Sequence, residues 1–174
     1  MNGESNMLQQ VDARKALKKK YPEQVACAVC VDAEGNPNII PLGWFMQTSF
    51  DPPMCAISVG HTRYSHDLIE ARGEFVAAFP VEGYEDDVLY CGNHSGRDVD
   101  KFADSGFTPQ EARTVEPPLI GEALANLECR VDGALETGDH TIFSGEIVAA
   151  HVNDEAKRRI YNMGSHDLQP LPKD

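Results

Sequence analysis

Three short stretches of this chain gather side chains that can do chemistry. At residues 62–66, Thr62, Arg63, Ser65 and His66 bring hydroxyls, a guanidinium and an imidazole to the start of a segment that reads as a helix over residues 65–72, with Ser65 as N-cap and Gly73 as the stop. Helix-end amides and a forked guanidinium both favour a dianion, so the turn reads as a phosphate cradle. The plainer reading has Arg63 pairing with Asp67 on the surface. Arg97 and Lys101 are either further cations near the same phosphate or solvated helix charges. Gln47, Thr48 and Ser49 stand just before Asp51-Pro52-Pro53, which bars helix and central-strand geometry. They therefore offer donors at an open strand end, or simply end a strand. Trp44 and Phe45 supply an apolar wall, or serve as core or subunit contacts. His140 follows Gly138-Asp139 at a hairpin tip, where the turn needs Gly and Asp but no histidine. It is a ligand-facing imidazole or an exposed turn residue.

Other signals carry less. Cys27 and Cys30 have CxxC spacing, but in a strand positions i and i+3 point to opposite faces, so the two thiols cannot converge on a metal or a disulfide. Five cysteines at irregular spacing read as free thiols, not a secreted framework. His61, His66, His94, His140, His151 and His166 form no HExxH or paired CxxC pattern, so no metal site is expected. Neither GxGxxG nor GxxxxGK[ST] occurs.

The elements that must hold these groups are mostly strands. Val25 to Val31 is a continuous apolar run rich in β-branched residues, as a strand buried on both faces would be. Residues 32–37 read as a turn, residues 38–42 and 54–59 as further strands, and residues 74–79 as another. A long hairpin has arms at residues 125–135 and 141–152, with Leu127, Cys129 and Val131 alternating inward. Short helices are expected at residues 84–90, 99–103 and 154–160. Six or so strands joined mainly by hairpins predict a mainly β fold, a closed antiparallel barrel with short peripheral helices.

The 174 residues suit one domain over residues 21–174, preceded by an N-terminal helical extension over residues 1–20. The opening residues lack an apolar stretch behind a basic start, and no apolar run is long enough to span a bilayer, so a cytoplasmic protein is expected, with no membrane partner. A net charge of −13 opposes binding to nucleic acid. The one dense basic patch, Arg14, Lys15, Lys18, Lys19 and Lys20, reads as a solvated helix face.

The order of segments resembles the flavin reductase-like family of FMN-binding split barrels, in its flavoredoxin-type branch. It is carried by Thr48-Ser49, Asp51-Pro52-Pro53, Arg63 to His66, Gly73-Glu74-Phe75-Val76, Ser95-Gly96-Arg97-Asp98 before Asp100-Lys101-Phe102, and Gly138-Asp139-His140, over roughly residues 20–152. No single motif decides it; the ordered combination does. The resemblance implies FMN as cofactor, with NADH or NADPH as electron donor. Trp44, Gln47, Thr48 and Ser49 would meet the flavin ring and its edge, while Thr62, Arg63, Ser65, His66, Arg97 and Lys101 would gather at the phosphate. It implies that His140 faces the flavin and helps place the nicotinamide, and that the flavin sits at a homodimer interface. Hydride transfer between nicotinamide and flavin needs no protein acid or base, which accounts for the lack of a catalytic triad. The alternative is a flavoredoxin-like electron carrier that meets a redox-protein partner and no nicotinamide.

Overall fold

The computed structural model describes residues 8–154 and 157–172. Its elements run α1 (Ala13–Leu17), β1 (Glu23–Gln24), β2 (Ala26–Val31), β3 (Pro37–Leu42), β4 (Phe45–Phe50), β5 (Pro53–Gly60), α2 (Tyr64–Arg72), β6 (Glu74–Ala78) and α3 (Glu85–Asn93). Then follow β7 (Pro109–Gln110), β8 (Leu119–Ile120), β9 (Ala125–Thr137), β10 (His140–Val152), β11 (Ile160–Asn162) and β12 (Leu168–Pro170). Seven strands form one sheet in the order β3-β2-β6-β9-β10-β5-β4, every neighbouring pair antiparallel. The mainly β fold with a few short helices is as the strand pattern predicts.

The expected closure into a barrel is not found. The sheet ends on β3 and β4, which the chain joins through Gly43 and Trp44 but which do not pair with each other. β3 carries Pro37 and Pro41, which have no N–H to give to a ladder, so it suits an open edge. The sheet curls instead, and side chains fill the curl: Ala28, Cys30, Cys55, Ile57, Val59, Phe75, Ala77, Cys129 and Phe143 form one core, capped by Leu68 and Ile69 of α2. The alternate residues of the same strands, Cys27, Val29, Val76 and Ala78, face a second core closed by Val88 and Cys91 of α3, Phe102, Phe107, Ile120 and Ile160. All of β2 is buried, as its composition requires, and Cys27 and Cys30 fall into different cores.

Several local expectations shift. α1 is only five residues long and buries nothing; the rest of the proposed extension, residues 1–7, lies outside the described residues. Residues 99 and 100 are irregular and residues 101–103 form turns, not a helix. Of the helix expected at 154–160, positions 155 and 156 lie outside the described residues, Arg159 bridges Val81, and Ile160 opens β11. That short strand buries Ile160 in the second core, and tertiary burial overrides weak helical periodicity. All five cysteines are free and buried. Among the described residues no helix is long and apolar enough to cross a membrane, and no cluster of His, Cys, Asp or Glu is placed to hold a metal ion.

Candidate functional site

The unpaired edge of β3 is the floor of a cavity of about 420 Å³. From Asn38 to Leu42 the strand advances roughly 13 Å at about 3.3 Å per residue. At the Asn38 end the walls are Thr62, Arg63, Tyr64 and Ser65 from the start of α2, and Ser95, Gly96, Arg97 and Lys101 from the loop after α3. At the other end stand Leu42, Gly43 and Gln24, with Asn162, His166 and Leu168 of the C-terminal hairpin. That hairpin is set there by β1, because Glu23 pairs with Asn162 and the Glu23 side chain lies against Gly43.

Among the described residues no aspartate or glutamate lines this cavity, in a chain that carries 28 of them. Three cations do. Arg63 is the N-cap residue of α2, with extended φ −84° and ψ 135°, so the cap is two residues earlier than Ser65 and no side chain closes the helix end among the described residues. Ser65 instead lies buried inside the first turn, its Oγ 2.7 Å from Asn38 Nδ2. Arg97 stacks its guanidinium 4.5 Å above the Tyr64 ring and donates to Asp67 at 2.7 Å, so Asp67 is taken by Arg97 and not by Arg63. Lys101 is no solvated helix charge. It is 4% exposed, its Nζ donating to Ile39 O at 2.6 Å and Cys91 O at 2.8 Å. Burial draws its pKa below the ordinary lysine value, against the pull of the neighbouring Cys91 and Cys30 thiols. These thiols are themselves pushed up to about 11, chiefly by burial.

Asn38, 2% exposed, is the unfinished part of this end. Its Oδ1 is buried without a hydrogen-bond partner among the described residues; the other such atom, Arg159 Nε, belongs to a guanidinium held over the Phe79 ring. Gly96 allows the close approach there, since a Cβ would stand 2.2 Å from Asn38 Oδ1. Among the described residues, three cations with no carboxylate on the lining suit an anionic ligand, and the Asn38 oxygen, an acceptor, would take a donor from such a ligand's uncharged part.

The remaining sequence candidates lie apart from this cavity. His66 is buried under the curl, its Nε2 2.8 Å from Thr141 Oγ1. Gln47, Thr48 and Ser49 sit on the exposed edge strand β4, and the register shift between Gln47 and Ser49 makes Thr48 the extra residue of a bulge, a device that leaves backbone groups out of the ladder. Trp44 is half exposed, its ring 4.7 Å from that of His140, and it borders a separate apolar depression of about 370 Å³ with Met46, Ile57, Thr137 and Ile142. His140 opens β10 after a turn in which Gly138 takes a φ of 60°. Its Nδ1 lies 2.6 Å from Asp139 Oδ1, which holds that carboxyl below its ordinary pKa, and its Nε2 faces Gly60. Sequence reasoning passed over Asn38, His94 and His166, all of which line the cavity. Only Asn38 left a trace, as a polar residue heading an apolar run.

The chain belongs to the flavin reductase like domain family, whose model matches residues 18–170. Flavoredoxin from Methanosarcina acetivorans superposes with a TM-score of 0.83 at 26% identity, covering 97% of this chain and 93% of that one. An FMN-binding protein from Thermus thermophilus is similar with a TM-score of 0.81 at 25% identity, covering 98% and 97%. An NADH:FAD oxidoreductase from Streptomyces globisporus, solved with NAD and FAD fragments, is similar with a TM-score of 0.81 at 26% identity, covering 96% and 99%.

Proposed function

We propose that this chain binds FMN in the cavity along β3 and passes hydride between NAD(P)H and the flavin or a downstream acceptor. The observation that carries the reading is the cavity itself, whose walls, among the described residues, hold Arg63, Arg97 and Lys101 and no carboxylate although the chain has a net charge of −13. The phosphate is taken by Arg63 and the open end of α2, with the Thr62 and Ser65 hydroxyls beside it. Lys101 adds fixed positive charge beneath the floor, Arg97 closes the rim, and the Asn38 amide finds its missing partner. The flavin supplies the hydride chemistry when bound; the protein supplies orientation, hydrogen bonding and exclusion of water. Thr48 and its neighbours, on the bulged edge of β4, stand outside this cavity and do not contact a flavin placed in it. The Trp44–His140 pair forms the surface on which a nicotinamide is placed. The family resemblance and the similar NADH:FAD oxidoreductase support the donor; the similar flavoredoxin supports the electron-carrier alternative.

A homodimer is part of this reading, and β2, all of it buried within the chain, is not the strand that a second copy would cover. Among the exposed apolar side chains, Trp44, Met46 and Phe50 lie together along and just before the edge strand β4, with Leu135 near the tip of the long hairpin, a surface suited to a second copy. The deciding experiment is anaerobic addition of NADH or NADPH to FMN-loaded protein, followed by bleaching of the flavin band. Reduction faster than that of free FMN supports the reductase, and a rate equal to that of free FMN leaves the electron carrier. Light scattering that gave a mass near 19.1 kDa with FMN bound would remove the dimer.

A further inference from the structure

The turn of the C-terminal hairpin sets two side-chain-bearing residues where a two-residue hairpin turn favours asparagine and glycine. Gly164 already takes a φ of 118°, Gly164 N donates to Asn162 Oδ1, and Met163 N and Asp167 N close the turn at 2.7 and 3.0 Å. Yet Ser165 and His166 follow at φ 55° and 64°, the only non-glycine residues with positive φ among those described. Two successive L-residues in the left-handed region raise the free energy of the fold, where glycine would not. The Asp167 N to Gly164 O bond imposes both angles, so what calls for a reason is the choice of a histidine at a position that glycine or asparagine fills at lower cost. His166 lines the cavity, with Asn162 and Leu168 of the same hairpin, at the end away from Arg63, Arg97 and Lys101.

A ligand anchored by its phosphate at Arg63 and running along β3 brings its other end to Leu42, Gly43, Gln24, Asn162, His166 and Leu168. This end is apolar on its strand side and carries amides and one imidazole on the other. It suits a neutral flat ring with a polar edge and not a second phosphate. We propose that the β11–β12 hairpin is a strap over the ring end of the flavin cavity, and that the His166 imidazole is the hydrogen-bonding group it holds to the ring edge. The inference rests on the placement of FMN in this cavity. His140, beyond Trp44, keeps the separate role of meeting the nicotinamide.

The test is titration of flavin-free protein with FMN and with riboflavin, alongside thermal unfolding of the same samples. His166→Gly is expected to raise the melting temperature of the flavin-free protein, because the left-handed backbone is relieved, and to weaken FMN and riboflavin by the same factor, about three- to tenfold. Ser165→Gly, which relieves strain beside the cavity without touching its lining, is expected to raise the melting temperature and leave both affinities alone. His166→Asn keeps a hydrogen-bonding side chain that tolerates this φ, and should bind both flavins within about twofold of wild type. Unchanged affinities in His166→Gly overturn the proposal. So does a loss confined to FMN, which would assign His166 to the phosphate end. In either case wild-type FMN binding that Arg63→Ala weakens leaves the cavity assignment standing. Wild-type protein that takes up neither flavin overturns both.

Discussion

Glu128 and Lys101 are both buried charges, and the protein surrounds them differently. Glu128, fully inaccessible in β9, accepts from Arg113 N and His151 Nε2 on Oε1, and from Thr114 N, Thr114 Oγ1 and Val115 N on Oε2. Burial alone would raise its pKa; the Thr114 hydroxyl, the Arg113 and Thr114 amides and His151 outweigh it and hold the carboxyl at about 2. Among the described residues Lys101 meets two carbonyls and no carboxylate, and one of those carbonyls, on Ile39, is next in the chain to Asn38, whose Oδ1 accepts no hydrogen bond. A saturated buried charge pins one stretch of chain, here residues 113–115, to the sheet. A buried polar atom left without a partner beside a cavity leaves that region less fixed by the chain itself. The two regions should therefore answer mutation in different measurements.

The largest effect is expected at the saturated site. Glu128→Ala leaves three backbone amides and a hydroxyl without their acceptor and should destabilise the fold by about 3–5 kcal/mol in denaturant titration. Flavin affinity of the fraction that remains folded should be unchanged; a selective loss of flavin binding would erase the contrast between the regions. Acid acts on the same group. With a folded pKa of about 2 against about 4.5 when unfolded, its contribution of about 3 kcal/mol is complete above pH ~5 and is lost as pH falls towards 2. Glu128→Gln should flatten that acid limb, and an unaltered limb would show that other carboxylates set it.

At the unsaturated site, Arg63→Ala should weaken FMN by about 1.5–3 kcal/mol, the scale of a hydrogen bond to a charged group, and barely alter riboflavin, which has no phosphate. Melting of the flavin-free protein should not move, since Arg63 is exposed and makes no capping hydrogen bond with its side chain. Equal losses for both flavins would make Arg63 a support of the fold or the ring. The smallest effect is expected at His140, outside the cavity. His140→Ala should leave FMN affinity and spectrum nearly unchanged while slowing reduction by NAD(P)H about tenfold to a hundredfold, or ~1–3 kcal/mol in barrier. Reduction by dithionite should be the same in both proteins. An electron carrier has no nicotinamide-dependent rate to lose, so stopped-flow bleaching also tests the choice between the two functions.

Much of this was written in the chain. Alternation and apolar runs fix which residues of β2, β6 and β9 face a core, because side-chain direction in a strand has a period of two residues. Turn chemistry at Gly73 and Gly138 is local and was legible for the same reason: a left-handed φ favours glycine whatever surrounds it. The ordered motifs pointed to the family before any coordinates. What periodicity could not decide was which strands end the sheet. Whether β3 and β4 pair depends on the curl of all seven strands, and their failure to pair opens the cavity. Nor could spacing divide the candidates, leaving Arg63, Ser65, Arg97 and Lys101 with Asn38 along β3 while His66 goes under the curl and Trp44 to His140. His166 joins that cavity from more than a hundred residues away in sequence, through the pairing of β11 with a two-residue strand. Contacts of that range are made by tertiary packing alone, and no local pattern records them.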